Sequence, residues 1–342
     1  MSSTHGGILF ILKKNENYNF VSYCRRSSGL WNSTRFIVES LLERGHKAHI
    51  VEVNDNNDID REVTKHKPKI VVIEALWVVP SKFDILKKLH PHVSWVVHMH
   101  SHMPFLALEG NAMGWIKEYA HKGIGIIANS PESYEAFRCI LPEDKVQFLP
   151  NVYISNPREP KIFKNNSRLN VGCFGAIRPL KNQLLQALAA IRFAHENQKH
   201  LYFHINASRI ETGGDPVYKN LMQLFESEPH ADLIHHKWYE PEEFLQLLQD
   251  EIDIGMQVSL TETFNIVCAD YVTAGVPVVT SKEVKWASCY NKAQDDSVDD
   301  IVRVMGKVYQ SRRLVERNQK MLRKYSIVAQ KMWEEWLIAN LR

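Results

Sequence analysis

The stretch from Ser259 to Ser281, SLTETFNIVCADYVTAGVPVVTS, constrains the fold of this 342-residue chain more than any other. The apolar run 252–258 before it predicts a strand, apolar residues at helical spacing over 266–274 predict a helix, and the run 276–279 predicts the next strand. Gly275 is well placed to end the helix, because glycine readily adopts the left-handed conformation found at helix termini. This order of elements predicts a βαβ unit of a parallel sheet.

The loop of this unit predicts an anion site. Backbone N–H groups over 264–266 begin the helix, and the first N–H groups of a helix bind anions because they lack acceptors within the helix. Glu262 precedes the helix and Asp270 lies one turn beyond Ile266, so both carboxylates are placed to face such a ligand. Carboxylates accept hydrogen bonds from vicinal hydroxyls. The pattern therefore favours a sugar nucleotide, and the alternative is an ordinary βαβ unit with surface acids.

The segment TETFNIVCADYVTAGVPVV resembles the motif of Glu, seven residues and Glu in retaining GT-B glycosyltransferases, and glycosyltransferase family 4 in particular. Two departures are visible. Asp270 stands in place of the second Glu, and Thr263 and Asn265 replace the glycines that usually flank the family's Phe, here Phe264. Asparagine tolerates unusual backbone angles, so we expect the loop to persist with an altered donor geometry. The resemblance implies an α/β protein of GT-B architecture, with two Rossmann-like parallel-sheet domains that face one another across a cleft.

Composition places the chain among soluble globular proteins. Its length suits two domains, and it contains 44% apolar and 24% charged residues. The net charge of +3 indicates no nucleic-acid partner, and no apolar stretch approaches the roughly 20 residues that span a bilayer. We expect a cytoplasmic protein, with a peripheral position at the cytosolic face of a membrane left open. The five cysteines form no CxxC pair, which predicts reduced thiols rather than disulfides or a zinc site.

The N-terminal half alternates predicted strands and helices, as a Rossmann-like domain does. Its segment SSGLWNSTRFIVESLLERGHKAHIV resembles the N-terminal segment of the family, with one glycine fewer in the loop Ser28-Gly29. The resemblance implies that this loop approaches the donor phosphates and the acceptor, and the alternative is a plain tight turn. Ser33 or Thr34 is expected to cap the following helix. The predicted strands of this half are 7–13, 48–53, 69–73, 93–97, 124–128 and 145–151.

Three histidines, His98, His100 and His102, alternate at the carboxyl end of the predicted strand 93–97. Open α/β sheets place ligand groups at such strand ends. The spacing alone would suit a metal, but no acidic or cysteine partner is expected nearby, so no metal site is predicted. The resemblance implies that one histidine contacts the donor sugar, and the alignment of VVHMH favours His100, with His98 and His102 as the alternatives. A structural role for each histidine is the alternative.

The second half carries a basic turn after the predicted strand 169–174. Gly175 lets a ligand approach the backbone, while Arg178 and Lys181 supply two cations beside it. A diphosphate suits this combination, because Arg binds two oxygens at once and Lys adds a compact charge. The three residues resemble the phosphate clamp of the family, and the alternative is a solvated basic turn. Further strands are predicted at 201–206 and 232–235.

The loop 237–241 is expected to hold the nucleotide base, as the corresponding loop does in similar enzymes. Trp238 or Tyr239 would cover the ring, and Glu240 would accept hydrogen bonds from its N–H groups. Guanine offers two adjacent donors, so Glu240 favours GDP, and GDP-mannose as the donor, over a UDP-hexose. The alternative for Glu240 is a helix cap with Pro241 at the first helical position.

The predicted domain boundaries follow from composition and periodicity. Residues 1–153 form the acceptor-side domain, 154–168 a polar linker, and 169–318 the nucleotide-sugar-binding domain. The amphipathic tail 319–342 is expected to be a helix that crosses back to the N-terminal domain. Homodimer formation and contact with a membrane surface remain open for this tail, which carries several basic residues.

The resemblance implies a retaining hexosyltransferase that acts on a nucleotide-sugar donor and a glycan, lipid or protein acceptor, without a metal or other cofactor. Arg178, Lys181 and the helix N-terminus would stabilise the leaving diphosphate, Glu262 the hexose hydroxyls, and His100 the sugar. A GT-B epimerase or phosphorylase and a non-catalytic two-lobed binding protein are the alternatives. The residues expected to bind the donor are Gly175, Arg178, Lys181, Glu262, Thr263, Phe264, Asn265, Ile266, Asp270, Trp238, Tyr239, Glu240, Ser28 and Gly29.

Overall fold

Parallel strands organise both halves of the chain. The computed structural model of the protein describes residues 6–14, 29–162, 167–211 and 213–341. The chain divides into unit 1, which comprises Met1–Ile154 and Ser326–Arg342, and unit 2, which comprises Ser155–Tyr325. Within the described ranges, each unit contains one six-stranded sheet, and all the strand pairings are parallel. The predicted α/β class with two Rossmann-like parallel-sheet domains is confirmed.

The central strands of unit 1 are largely apolar and buried on both faces, as parallel strands covered by helices usually are, whereas the two edge strands are partly exposed. Its strands are β1 (Ile8–Lys13), β2 (Ala48–Val53), β3 (Ile70–Glu74), β4 (Ser94–Met99), β5 (Gly125–Ala128) and β6 (Val146–Phe148). Its helices include α1 (Gly29–Glu43), α2 (Asp58–His66), α3 (Lys82–Leu89), α4 (Met103–Leu106), α5 (Ala112–His121) and α6 (Pro131–Arg138). The sheet order is β2-β1-β3-β4-β5-β6, so the direction of strand addition reverses between β1 and β3.

Unit 2 repeats this design with another strand order. Its strands are β7 (Arg168–Gly172), β8 (His200–Asn206), β9 (Ala231–His236), β10 (Ile254–Gln257), β11 (Val278–Ser281) and β12 (Lys292–Ala293). Its helices are α7 (Gln183–Glu196), α8 (Gly214–Glu226), α9 (Pro241–Glu251), α10 (Ile266–Thr273) and α11 (Val298–Val308), while α12 (Arg312–Leu341) contributes residues to both units. The sheet order β12-β11-β10-β7-β8-β9 reverses between β7 and β10.

The strands predicted from apolar runs all occur, with ends that differ by a few residues. The tail helix α12 begins at Arg312, earlier than the predicted start at Gln319. The predicted caps of the first helix are wrong, because α1 begins at Gly29 and both candidate caps lie inside it. Ser33 is buried and accepts a hydrogen bond from Asn151 Nδ2, and Thr34 Oγ1 donates to the Leu30 carbonyl at 3.0 Å. Ser28 lies outside the described residues.

Helix α10 packs closely on the unit 2 sheet through one buried tyrosine. The Tyr271 ring lies over Gly255 of β10, and its hydroxyl lies over Gly172 of β7. A Cβ atom on Gly255 would stand 2.7 Å from the ring, and one on Gly172 would stand 2.4 Å from the hydroxyl oxygen. Glycine at both positions therefore lets α10 approach the two strands between which the sheet order reverses. Gly275 has a φ of +77° after the helix, as predicted for its terminus.

None of the described helices is both long enough and apolar enough to cross a membrane. Four of the five cysteines lie in the described ranges, and all four are free thiols, as predicted. They are Cys139, Cys173, Cys268 and Cys289.

Replacement of Gly255 by Ala is expected to destabilise the fold, because the added methyl group would overlap the fully buried Tyr271 ring. Overpacking of this kind usually costs about 1–3 kcal/mol of the free energy of unfolding. The matched control is Gly306→Ala in α11, where the nearest atom to the new Cβ lies 3.9 Å away. Alanine in an exposed helix should leave stability unchanged or raise it by up to about 1 kcal/mol. Urea denaturation of both variants tests the contact, and equal stabilities would contradict it.

Candidate functional site

The predicted motifs of unit 2 meet where the order of its sheet reverses. The chain leaves the carboxyl end of β7 into the turn 175–181 and leaves that of β10 into the loop 259–265. Ligands of open α/β sheets bind outside the carboxyl ends of the strands at such a reversal. Lys181 Nζ lies 2.5 Å from Glu262 Oε1, and the two side chains are only 12% and 8% exposed. The cation of one predicted motif is therefore paired with the carboxylate of the other.

Hydrogen bonds from both main-chain and side-chain groups join the two segments. Asn182, which adopts a left-handed conformation with φ +58°, donates from its side chain to the Val258 carbonyl at 3.1 Å. Gln186 of α7 accepts from the Val258 N–H at 2.8 Å and donates to the Lys181 carbonyl at 2.7 Å. The Leu260 N–H donates to the Leu180 carbonyl at 3.0 Å. These bonds hold the basic turn and the acidic loop as one assembly.

Arg178 pairs with a carboxylate, that of Glu211, which was not predicted from the sequence. Its Nη1 lies 2.8 Å from Glu211 Oε2, and Arg209 Nη2 lies 2.7 Å from the other oxygen of the same carboxylate. Burial by itself would raise the pKa of Glu211, but the charges of Arg209 and Arg178 outweigh it and hold this pKa below its usual range. The Arg209 guanidinium in turn lies 4.9 Å from the centre of the Trp238 ring. Glu211 thus links the predicted clamp to the predicted base loop.

A short backbone ladder brings Glu211 to this place. Ile177 pairs with Ile210 in an isolated parallel bridge, in which the Ile177 N–H donates to the Arg209 carbonyl at 2.9 Å. The bridge extends the pairing of β7 and β8 beyond their ends. The sequence contained one signal for this contact, the alternation of charges in Arg209-Ile210-Glu211 soon after a predicted strand. In an extended segment, residues two positions apart lie on the same side, so both charges face one way.

The N-terminus of α10 is fixed by Asn265, which replaces one of the glycines usual in the resembling motif. Its backbone has φ +66°, as expected for a residue that takes over from glycine. Its side chain accepts from the Cys268 N–H at 2.8 Å and donates to Gln257 Oε1 at 2.9 Å. Phe264 is buried against the rings of Trp286 and Tyr325. The loop therefore keeps its form through a cap and an aromatic anchor.

The remaining donor-binding candidates of unit 2 are only partly brought together. Asp270 is half-buried on α10. Tyr239 lies with its hydroxyl 3.2 Å from His236 Nδ1. Glu240 occupies the N-cap position of α9 with Pro241 in the first turn, but its side chain makes no capping hydrogen bond. Its Oε1 is buried without a hydrogen-bond partner among the described residues, and burial with the nearby Glu243 raises its pKa.

The histidines of unit 1 surround a buried carboxylate. Glu74, at the carboxyl end of β3, lies with Oε2 3.1 Å from His98 Nδ1 and 2.5 Å from His100 Nε2. Burial would raise the pKa of Glu74, yet the two histidine charges outweigh it and lower this pKa to about 2. The expectation that no acidic group stands near the histidines is wrong, because β3 and β4 are neighbours and align Glu74 with His98.

Exposure separates the three histidines. His98 is wholly buried against the Trp333 ring, and burial lowers its pKa. His102 is buried 3.5 Å from a Glu132 oxygen, whereas the His100 side chain retains 14% exposure. Glu74, His98 and His100 each offer one ligand atom within 4.8 Å of the others, the spacing of a metal-binding cluster. His100 is thus the most accessible of the three to a ligand.

Comparison with known proteins places the fold. No protein-family model matches the chain, and a search of curated sequences finds no match. Similar solved structures include HepE from Anabaena with UDP and glucose (TM-score 0.68, 13% identity, 97% of this chain and 100% of that chain). They also include the trehalose-6-phosphate synthase OtsA (0.69, 9%, 98% and 99%) and sucrose-phosphate synthase from Thermosynechococcus elongatus (0.67, 10%, 96% and 98%). These are GT-B glycosyltransferases, and the chain has the GT-B fold.

Asn265 provides a test of how the loop before α10 is held. Asn265→Ala should lower the free energy of unfolding by about 3 kcal/mol, since it loses the cap and the hydrogen bond to Gln257 and places an ordinary residue at positive φ. Asn265→Gly should cost only about 1–2 kcal/mol, because glycine accepts this φ and loses the two side-chain hydrogen bonds alone. Chemical denaturation of both variants gives the comparison. Equal losses would show that φ +66° imposes no strain.

The ion pairs of Glu211 predict a dependence of stability on pH. A carboxyl group whose folded-state pKa is lowered stabilises the fold above its ordinary pKa, and this contribution is lost as the pH falls through the folded-state pKa. At pH 7, Glu211→Gln should reduce the free energy of unfolding by about 1.5 kcal/mol, a usual value for hydrogen bonds to charged groups. The difference from the unmodified protein should shrink below the ordinary glutamate pKa of about 4.3.

Urea denaturation at several pH values between 7 and 3 measures this difference. Glu226→Gln, at an exposed position of α8, is the control for loss of one surface charge. A difference between the Glu211 variant and the unmodified protein that stays constant over this range would contradict the charge assignment.

Proposed function

We propose that this protein is a retaining glycosyltransferase that moves a hexose from a nucleoside-diphosphate sugar to a hydroxyl acceptor. The observation that carries the proposal is that Lys181, in the same turn as Arg178, pairs with Glu262 where the strand order of the unit 2 sheet reverses. Two cations suit a diphosphate, and a carboxylate beside them suits sugar hydroxyls. The glycosyltransferases among the structural neighbours support this reading. Membership of glycosyltransferase family 4 is part of the same proposal.

The ion pairs prepare the two cations for a negatively charged leaving group. Glu211 directs the Arg178 guanidinium at 2.8 Å, and Glu262 holds the Lys181 ammonium at 2.5 Å. The ammonium carries three N–H bonds, so it can bind a phosphate oxygen while it stays close to Glu262. Phosphate oxygens that take over part of this pairing would leave Glu262 able to accept hydrogen bonds from the hexose. The α10 N-terminus, with its positive end of the helix dipole, adds to the stabilisation.

The reaction follows from where charge develops. The bond between the anomeric carbon and the diphosphate oxygen breaks, which leaves positive charge on the sugar and negative charge on the diphosphate. Arg178, Lys181 and the start of α10 stabilise that negative charge in fixed positions, which is an effective form of catalysis. The acceptor oxygen bonds to the anomeric carbon on the same face, and its proton passes to the leaving phosphate. Retention by this front-side route needs no divalent metal for charge neutralisation.

The base and the sugar are the finer parts of the proposal. The buried Oε1 of Glu240 would accept hydrogen bonds from base N–H groups, and guanine offers two adjacent donors. This favours GDP-mannose, whereas HepE was solved with UDP and glucose and so favours a uridine donor. Trp238, on which Arg209 lies, would stack on the base. Asp270 would bind the ribose, and His100 is proposed to contact the donor sugar.

Calorimetric titration with GDP-mannose, UDP-glucose and UDP-N-acetylglucosamine tests the proposal. One donor should bind, and a chelator should not change its affinity. Lys181→Ala should weaken that binding about tenfold or more, which corresponds to about 1.4 kcal/mol, because a charge-assisted contact with phosphate is lost. Glu262→Gln should weaken the binding of the nucleotide sugar more than that of the free nucleoside diphosphate. The reason is that the carboxylate contacts that are lost are contacts to the hexose.

Lys219→Ala is the matched control, since Lys219 is an exposed lysine on α8 of the same unit. It should bind the donor as the unmodified protein does. If none of the three donors binds, the transferase proposal is contradicted, and only the similarity of fold remains. Binding without transfer to any acceptor would favour a binding protein, and release of free sugar without acceptor would favour an epimerase. A transferred sugar whose anomeric configuration is inverted, as seen by NMR, would refute retention.

A further inference from the structure

A second cluster of ligand atoms lies in unit 2 between the last two strands on one edge of the sheet. His204 of β8 and His236 of β9 stand on the same face, because the register sets His204 opposite Ile234 and Asn206 opposite His236. Glu251 is the last residue of α9, the helix that follows β9. One ligand atom from each of His204, His236 and Glu251 lies within 4.8 Å of the others. None of these side chains belongs to the basic turn 175–181 or to the acidic loop 259–265.

Hydrogen bonds around His204 assign its ring nitrogens. Asn170 Nδ2 donates to Asp253 Oδ2 at 3.1 Å, so the amide oxygen of Asn170 is the atom that faces His204 Nε2 at 3.2 Å. That oxygen can only accept, which places the proton on Nε2 and leaves a lone pair on Nδ1. The lone pair points towards His236, whose Nε2 lies 2.8 Å away. His204 is nearly completely buried, which favours the neutral ring.

His236 is oriented by a hydroxyl group that can hydrogen-bond to either tautomer of its ring. Its Nδ1 lies 3.2 Å from the Tyr239 hydroxyl, which can donate or accept a hydrogen bond. Without a metal, His236 Nε2–H donates to His204 Nδ1, and Tyr239 donates to His236 Nδ1. With a metal, the proton moves to Nδ1, which donates to Tyr239, and Nε2 gains a lone pair. The exchange of tautomers costs one hydrogen bond between the rings and leaves the number of protons on His236 unchanged.

We propose that His204, His236 and Glu251 form a binding site for a divalent transition metal, with zinc the preferred ion. Two imidazoles and a carboxylate are ligands that zinc accepts, whereas calcium and magnesium prefer oxygen ligands alone. Metal-binding histidines commonly donate their second ring N–H to a fixed acceptor, and Asn170 and Tyr239 supply one for each ring. In a tetrahedral site with zinc–nitrogen distances of about 2.0–2.1 Å, the two nitrogens stand about 3.3 Å apart. A small side-chain rotation from 2.8 Å reaches this spacing.

The charges around the cluster allow a cation. Lys161 is the cation whose charge acts on His204, and its Nζ lies 3.6 Å from Asp253 Oδ1, so a carboxylate offsets it. Glu251 adds the negative charge that the two neutral rings lack. A metal held here would tie the edge strand β9 to β8 and to the end of α9. Through Tyr239 it would also restrict the loop 237–240.

Zinc titration of the purified full-length chain tests the proposal, with cobalt as a spectroscopic probe. The unmodified protein should bind zinc, should show the visible absorption of tetrahedral cobalt, and should unfold at a higher temperature as zinc is added. Calcium and magnesium should produce no such shift. His236→Gln should lower the zinc stoichiometry by one and abolish the cobalt spectrum. Glu251→Gln, at the exposed end of a helix where folding is not at risk, should weaken zinc binding about tenfold.

His235→Ala is the matched control, because His235 is the exposed neighbour of His236 on β9 and contacts the Tyr218 ring instead. Its zinc binding should equal that of the unmodified protein. Zinc binding that persists with full stoichiometry in both His236→Gln and Glu251→Gln would overturn the proposal and would point to the cluster of Glu74, His98 and His100. Absence of zinc binding in the unmodified protein would also overturn it. None of these readouts depends on the transferase activity.

Discussion

The contact of Tyr271 with two glycines is the constraint on which the unit 2 site depends. Since Gly172 and Gly255 carry no Cβ, helix α10 can lie close above the two strands between which the sheet order reverses. That closeness sets where the helix begins, and Asn265 converts this position into a fixed loop by capping α10 and bonding to Gln257 of β10. Glu262, three residues earlier, is thereby brought to Lys181. Packing of Tyr271 inside the sheet thus determines the position of a charged pair at the carboxyl ends of the central strands.

In both charge pairs at the carboxyl ends of these strands, the cation faces a carboxylate from a different segment of the chain. Lys181 pairs with Glu262, and Arg178 pairs with Glu211. Removal of two cations from water is costly unless each is paired and hydrogen-bonded. The carboxylates therefore allow the cations to be largely buried and correctly directed before any ligand arrives. In the proposed reaction, this arrangement reduces the reorganisation that would otherwise accompany departure of the diphosphate.

Local patterns in the sequence were sufficient for the fold and for the motifs, because both are encoded over short stretches. Continuous apolar runs predicted the buried parallel strands, and Gly275 predicted a helix end that has φ +77°. Asn265 was recognised as a residue able to replace glycine. The partners of the motif residues were not predicted, because they depend on strand order. Glu74 meets His98 only since β3 and β4 are neighbours, and pairing across the sheet cannot be read from either strand alone.

Glu211 and the cap of α1 illustrate two further limits. Glu211 reaches Arg178 through a single bridge between residues 177 and 210, a contact too short to leave a periodic signal in the sequence. Ser33 was predicted as a cap from residue type, but its hydroxyl instead accepts a bond from Asn151, far away in the chain. Ser33 bonds to a distant residue instead of capping its helix, and Glu211 pairs with the distant Arg178 in addition to its neighbour Arg209. Burial explains both distant contacts, because a polar side chain inside the protein must be satisfied by whichever group the tertiary fold places beside it. The same principle applies to His204 and His236, whose remaining ring nitrogens are satisfied by Asn170 and Tyr239 in the orientation that turns their facing nitrogens towards one another.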